Sequence, residues 1–232
     1  VTLKLLNHFE IKKPMVSYYE HNIRERGEYI LARIQAGESC AIVSDAGMPC
    51  ISDPGEDLVR ICSDAGVKIV VVPGPSAVIS ALAISGLKTS RFTFEGFLST
   101  TKSSRFTHLN SLIDEQRTMI FYEAPHKLLN TLNDMLAILG DRKIAVAREL
   151  TKIYEEVVRT NISGAIQHFK ENSPKGEFVL ILEGAKEKIY TFQDAVDKAK
   201  ELVANGEKAT EAAKTIAKEM GFKKSDIYQE LL

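Results

Sequence analysis

Short apolar runs alternate with stretches of helical periodicity along most of the chain. The opening residues Leu3, Leu5, Leu6, Phe9 and Ile11 have helical spacing. After Pro14, Met15–Tyr19 reads as a strand and Glu28–Ala36 as a helix closed by Gly37. Cys40–Val43 reads as a second strand, Glu56–Ala65 as a helix closed by Gly66, and Val67–Val72 as a third strand. Ser76–Ser85, closed by Gly86, completes the first series. Glycine after each helix suits the left-handed residue that ends one. Strands that are apolar throughout, separated by helices, predict a parallel sheet covered on both faces.

A second series begins near Gly86–Arg91. Phe92–Phe97 alternates as a strand, Ser99–Ser104 is a polar loop and Phe106–Leu112 is helical. Thr118–Tyr122, Lys143–Ala147, Glu156–Arg159 and Glu177–Leu182 read as further strands, with helices at Lys127–Leu139 and Ser163–Phe169. The last segment changes character: three helices, Gln193–Ala204, Ala209–Met220 and Ser225–Leu232, and no strand. There Ala217, Gly221 and Ile227 stand at helix-turn-helix spacing. The expected organisation is an α/β domain over residues 1–90, a second α/β domain with a mixed sheet over 91–186, and a helical extension over 187–232.

Composition narrows the class without naming a chemistry. With 232 residues, 44% hydrophobic and 26% charged, the chain is an ordinary globular one. No apolar run reaches the roughly 20 residues of a membrane span. Cys40, Cys50 and Cys62 have no metal or disulfide spacing and read as buried small hydrophobes in a reducing compartment. The net charge of −1 gives nucleic-acid binding no general support, so any basic surface must be local. The extension, with eight Lys against nine Asp and Glu over 187–232, suits packing or partner binding better than groove insertion.

Three loops follow predicted strands at the end where open α/β sheets place ligands. The first, Ser44–Gly55, contains Asp45, Ala46, Gly47 and Ile51 and is longer than the usual connection. Its glycines let backbone approach a ligand closely, although a plain connector would have the same composition. The second, Val72-Pro73-Gly74-Pro75-Ser76-Ala77, delivers Ser76 to a helix start, as a ligand-binding hydroxyl, a simple N-cap, or both. The third, Phe121-Tyr122-Glu123-Ala124-Pro125-His126, sets Glu123 and His126 at a strand end, where an acid or base could stand. A lone surface histidine is the more ordinary reading of His126.

The stretches SDAGMPCISDPG, VPGPSA, FYEAPHKLL, ARELTK (Ala147–Lys152) and KGEFVLILEG (Lys175–Gly184), in that order, resemble the tetrapyrrole-methylase superfamily. More narrowly, they are similar to the bacterial 16S rRNA (cytidine-2′-O)-methyltransferases. Asp45-Ala46-Gly47, where tetrapyrrole enzymes usually carry Gly-Asp-Pro, and the Tyr-Glu-Ala-Pro-His stretch point to the RNA branch. The resemblance implies S-adenosylmethionine as methyl donor, a decoding-site cytidine ribose of 16S rRNA in the small ribosomal subunit as substrate, a homodimer, a cytoplasmic location, and neither metal nor membrane. It places the donor against Asp45, Ala46, Gly47 and Ile51, with Pro73, Gly74, Ser76 and Ala77 across from them. Tyr122 and Glu123 would close the site, with Arg148 and Gly176 nearby. Glu123 or Glu149 is the expected base and Arg148 or Lys152 the expected stabilising charge, unless Arg148 and Glu149 form only a structural ion pair. That family opens with a strand, a GTPIGNL-type loop, a helix and a second strand, and Val1 falls just after them. The first domain is therefore expected to lack one wall of the donor site and to expose apolar strand edges. The competing expectations are methylation of a small tetrapyrrole and a non-catalytic RNA- or partner-binding module acting through the helical extension.

Overall fold

The alternation that begins at Phe92 folds into one sheet, seen in a computed structural model that describes residues 2–19, 22–187 and 190–232. Its strands are β1 (Phe92–Phe97), β2 (Thr118–Glu123), β3 (Lys143–Arg148), β4 (Glu156–Asn161) and β5 (Phe178–Leu182). They lie in the order β1-β2-β5-β3-β4, with β1 and β2 parallel and the other neighbours antiparallel. The last strand in sequence thus inserts into the middle of the sheet. Its five residues, Phe-Val-Leu-Ile-Leu, are all buried, as a strand covered on both faces requires.

The two faces have different covers. Helices α5 (Lys102–Ser111), α6 (Leu128–Leu139) and α7 (Ile162–Glu171) pack over Met119, Phe121, Ile144, Val146, Phe178 and Leu180. The ion pair of Arg105 with Asp134, at 2.7 Å and mostly buried, joins α5 to α6. On the opposite face lies α4 (Ala77–Ser85), whose Val78, Ala81 and Leu82 meet Ile120, Ala145, Ala147, Val179 and Ile181. Alanines at 81, 145 and 147 leave room for helix and sheet to approach closely. Arg159 donates to the carbonyl of Ile84 at the other end of α4. A sequence position well before the sheet is thereby built into it.

The remaining helices of this part are α1 (Thr2–His8), α2 (Ile23–Gln35) and α3 (Glu56–Asp64). Ile30, Leu58 and Cys62 form a small cluster between α2 and α3, and the Tyr18 hydroxyl donates to Asp57. The parallel sheet expected before residue 90 does not form among the described residues. Met15–Tyr19, Cys40–Val43 and Val67–Val72 run without helical or ladder pairing. A strand is held by its neighbour's hydrogen bonds, so an apolar run without a neighbour stays open. Val70, Val71 and Val72 are accordingly 71%, 66% and 83% exposed. Cys40 is exposed for the same reason, Cys50 is half-buried, and only Cys62 is the buried thiol expected of all three. α5 begins at Lys102, four residues before its expected start, because part of the Ser/Thr-rich stretch read as loop forms its first turn.

The chain divides into two compact units, Val1–Ala185 and Lys186–Leu232. The second consists of α8 (Phe192–Ala204), α9 (Ala209–Met220) and α10 (Lys224–Gln229) around Ala195, Ala199, Ala213, Ile216 and Ile227. Thr191 and Asp194 form a capping box at the start of α8. Ala217, Gly221 and Ile227 fill the roles their spacing predicted. Ala217 packs on the cluster, Gly221 ends α9 in the left-handed region, and Ile227 is fully buried. Among the described residues no helix is long and apolar enough to cross a membrane.

Candidate active site

Strand register brings the candidate residues of the second series to one end of the sheet. Phe97 lies opposite Tyr122, Glu123 opposite Phe178, Phe178 opposite Arg148, and Arg148 opposite Glu156. The loops after β1, β2 and β3, and the one before β5, therefore open at the same edge. Side-chain alternation then sorts these residues by face. Tyr122 packs with the α4 cluster. Glu123 and Arg148 follow the parity of Phe121 and Val146, which face α5–α7.

The two loops from the first series meet over that edge. Gly47 has φ 76°, and a Cβ there would stand 3.2 Å from the carbonyl oxygen of Pro75. A Cβ at Gly74 would stand 3.5 Å from the Met48 sulfur. Backbone thus faces backbone across a narrow gap that a side chain at position 47 would fill. Cys50 and Ser52 hold left-handed φ values of 69° and 63° in the same loop, a local strain of the kind found at ligand sites. Asp45, Ala46, Gly47, Ile51, Pro73, Gly74 and Ala77 are exposed, and Ser76 is half-buried. Ser76 occupies the N-cap position of α4, yet its hydroxyl makes no capping bond.

Tyr122 ties these loops to the sheet. Burial pushes its phenol above the ordinary range, the Val78 N–H opposes that shift, and the Asp53 carboxylate adds to it. One side chain from β2 is therefore close both to the first turn of α4 and to the first loop. Phe94 and Phe97 hold the ring from the sides, with centroids 5.1 and 5.4 Å away.

A second cluster surrounds the turn after β3. Glu149, at φ 50°, accepts from Lys152 Nζ at 2.9 Å and from the Glu177 N–H at 3.0 Å. Lys152 also reaches Glu177 Oε2 at 3.2 Å. Gly176, at φ 85°, permits this clasp, since a Cβ there would run into the Glu149 carboxylate. The Lys152 hydrogen bond, followed by that of the Glu177 N–H, holds the Glu149 carboxyl below its ordinary value.

Two expected roles find no support in these positions. Glu123 is 2% exposed. Its Oε1 accepts from the Ala124 N–H at 2.8 Å and pairs with Lys127 at 3.0 Å, while Oε2 accepts from the Thr131 hydroxyl at 2.5 Å. A carboxylate so enclosed fastens the start of α6 and does not face a substrate as a base. Arg148 pairs with Glu156 at 3.0 Å across β3 and β4, on the face away from α4, so its ion pair is not the one with Glu149. His126 is exposed in the loop after β2. Asp53, Phe97 and Lys127 belong to the neighbourhood although the motifs did not single them out. Asp53 lies within the Ser44–Gly55 loop, and Phe97 ends the Phe92–Phe97 strand.

The edge of one sheet, two glycine-bearing loops, the first of them strained, and a tyrosine beside both form the candidate site. The sequence pattern of the Tetrapyrrole (Corrin/Porphyrin) Methylases matches residues 2–166. The chain belongs to this family. It is 45% identical over 232 residues to the ribosomal RNA small subunit methyltransferase I of Synechocystis sp., covering 98% of this chain and 83% of that protein. The protein of the same name from Thermotoga maritima is 48% identical over 183 residues, covering 79% of this chain and 82% of that one. Among solved structures, the methyltransferase CobJ has a TM-score of 0.54 at 19% identity, over 76% of this chain and 77% of its own. Diphthine synthase has 0.56 at 14% identity, over 78% and 73%. At these identities the structures speak to the fold alone.

Two substitutions test the assignments. Glu123→Gln is expected to lower stability by about 1–3 kcal/mol in urea unfolding, because a charged acceptor is lost to buried donors. Its turnover per folded molecule is expected to be unchanged. A carboxyl titrating below its ordinary value contributes stability above the unfolded value and loses it as pH falls through the lowered one. Lys152→Ala should therefore return the Glu149 titration, followed by carboxyl NMR, toward the ordinary value of 4.5.

Proposed function

We propose that this chain is an S-adenosylmethionine-dependent methyltransferase that modifies the ribose 2′-hydroxyl of a decoding-site cytidine in small-subunit ribosomal RNA. It acts in the cytoplasm, as a homodimer, on the ribosomal subunit or its RNA. The observation that carries the substrate class is the 45% identity, across 98% of the chain, to a protein named as a ribosomal RNA small subunit methyltransferase. The donor class rests on family membership and on the fit of the loops at the sheet edge. In the family reading, residues 1–90 and 91–186 act as two halves of one site.

Asp45, Ala46, Gly47 and Ile51 from the first loop, and Pro73, Gly74, Ser76 and Ala77 from the second, would hold the donor, with Tyr122 behind them and Gly176 nearby. When bound, S-adenosylmethionine supplies an electrophilic methyl group on its sulfonium. The protein's task is then to bring a ribose oxygen into line, and positioning of this kind is worth about 7–11 kcal/mol where alignment is good. The close approach of Gly47 to Pro75 would let backbone of both loops reach one ligand. Neither expected carboxylate suits general-base work, since Glu123 is enclosed and Glu149 is held in its ionised, weakly basic form. Lys152, half exposed at the same edge, is the cation left to steady charge on the nucleophilic oxygen. With neither carboxylate placed to take it, the hydroxyl proton would leave to solvent.

Tritiated S-adenosylmethionine offered with unmethylated small ribosomal subunits is expected to label a ribose of the decoding-site RNA. Donor binding without RNA labelling, together with label on an added tetrapyrrole, would transfer the substrate to the small-molecule class.

A further inference from the structure

Two exposed groups of apolar and aromatic side chains flank the site at the sheet edge. One is the β3–β4 turn, where Ile153 and Tyr154 are 95% and 74% exposed. The other is Phe97, at the end of β1 and 54% exposed. Charge separates them. Tyr154 lies in a turn where Arg148 and Lys152 are paired with Glu156 and Glu149 and Glu155 is added, so no positive excess is left for a phosphate. Phe97 opens a stretch, residues 96–113, that contains no Asp or Glu and carries Lys102, Arg105 and His108. Residues 124–133, which follow β2 beside it, also lack acids and add His126 and Lys127.

The local geometry prepares Phe97 to receive a flat ligand. Its ring packs against Tyr122 and has the Lys127 ammonium 5.8 Å from its centroid. Lys127 is itself fixed by Glu123 and by the carbonyl of Leu98 at 3.3 Å. Arg105 is committed inward, donating to the carbonyls of Ser99 and Thr100 at 2.9 and 3.1 Å, and so shapes the loop that follows Phe97. Lys102 stays exposed just beyond that loop, its ammonium over the Phe106 ring at 5.2 Å. Arg105, Lys127 and His108 are paired with Asp134, Glu123 and Glu95, which leaves the exposed Lys102 to meet a phosphate beside an aromatic face. This is the combination by which single-stranded nucleic acid is bound: bases stack while lysines meet phosphates.

We infer that Phe97, with the Ser99–Lys102 loop, is the platform on which the RNA beside the target nucleotide stacks, Lys102 taking a backbone phosphate. This rests on the functional reading above and adds to it where the RNA enters, next to Tyr122.

The test measures two affinities of the full-length protein: for S-adenosylmethionine by calorimetry, and for a single-stranded RNA oligonucleotide of decoding-site sequence by fluorescence anisotropy. Phe97→Leu, which keeps an apolar contact with Tyr122, and Lys102→Glu are each expected to weaken RNA binding roughly fivefold or more. Lys102→Glu is also expected to reduce the salt-dependence slope by about one. Donor affinity of the Lys102 variant should stay within about twofold, and Tyr154→Ala should leave RNA binding unchanged. Unaltered RNA affinity in both Phe97→Leu and Lys102→Glu would overturn the platform while leaving the methyltransferase reading intact. So would a change in oligomeric state with RNA affinity intact. A wild-type protein that binds donor but no RNA would overturn the functional reading and the platform together.

Discussion

The packing of α4 on the sheet is the contact from which the site follows. Val78, Ala81 and Leu82 rest on Ile120, Ala145, Ala147, Val179 and Ile181, and the small side chains set how near the helix lies. Burying such a face is worth roughly 25 cal/mol per Å2 of apolar surface, which anchors a helix whose own neighbours in sequence run unpaired. Because α4 is held at its first turn by Tyr122 and at its last by Arg159, the loop before it cannot drift from the edge where β1, β2 and β3 end. The first loop comes close to the second at Gly47 and Pro75, where a Cβ on Gly47 would stand 3.2 Å from the Pro75 carbonyl. The candidate donor site is thus a consequence of a helix–sheet contact far from any reacting group.

The same contact explains how much the sequence disclosed. From Phe92 onward, period-two alternation and apolar runs translate into strands because each strand finds a neighbour, and β2, β5 and β3 find two each. Before residue 90 the runs are equally apolar, yet Val67–Val72 has no ladder and stays exposed. Apolarity signals the capacity for a buried strand and is silent on whether a partner is present. The helices of that region do form, since their hydrogen bonds are internal.

The site was legible as a list of residues but not as an arrangement. The motifs identified the loops, and the fold draws Gly47, Ser76 and Tyr122 toward one edge. Glu123 and Arg148 belong to equally chemical motifs, but alternation points them to the α5–α7 face, where Glu123 is bound by Ala124, Lys127 and Thr131 and Arg148 pairs with Glu156. A one-residue step along a strand reverses the face, so Tyr122 and Glu123, adjacent in the motif, serve different layers. In sequence Phe97 is only the end of a strand; its cross-strand pairing with Tyr122 shows that it borders the site. Lys127 acquires its place through a buried carboxylate that no motif marks as structural.

The most direct test of the site is photolabelling of the full-length protein with tritiated S-adenosylmethionine, followed by peptide mapping. The account predicts label in peptides containing residues 44–55, 73–78 or Tyr122, competed away by unlabelled donor. Competable label confined to α8–α10, or to the α5–α7 face of the sheet, would contradict it.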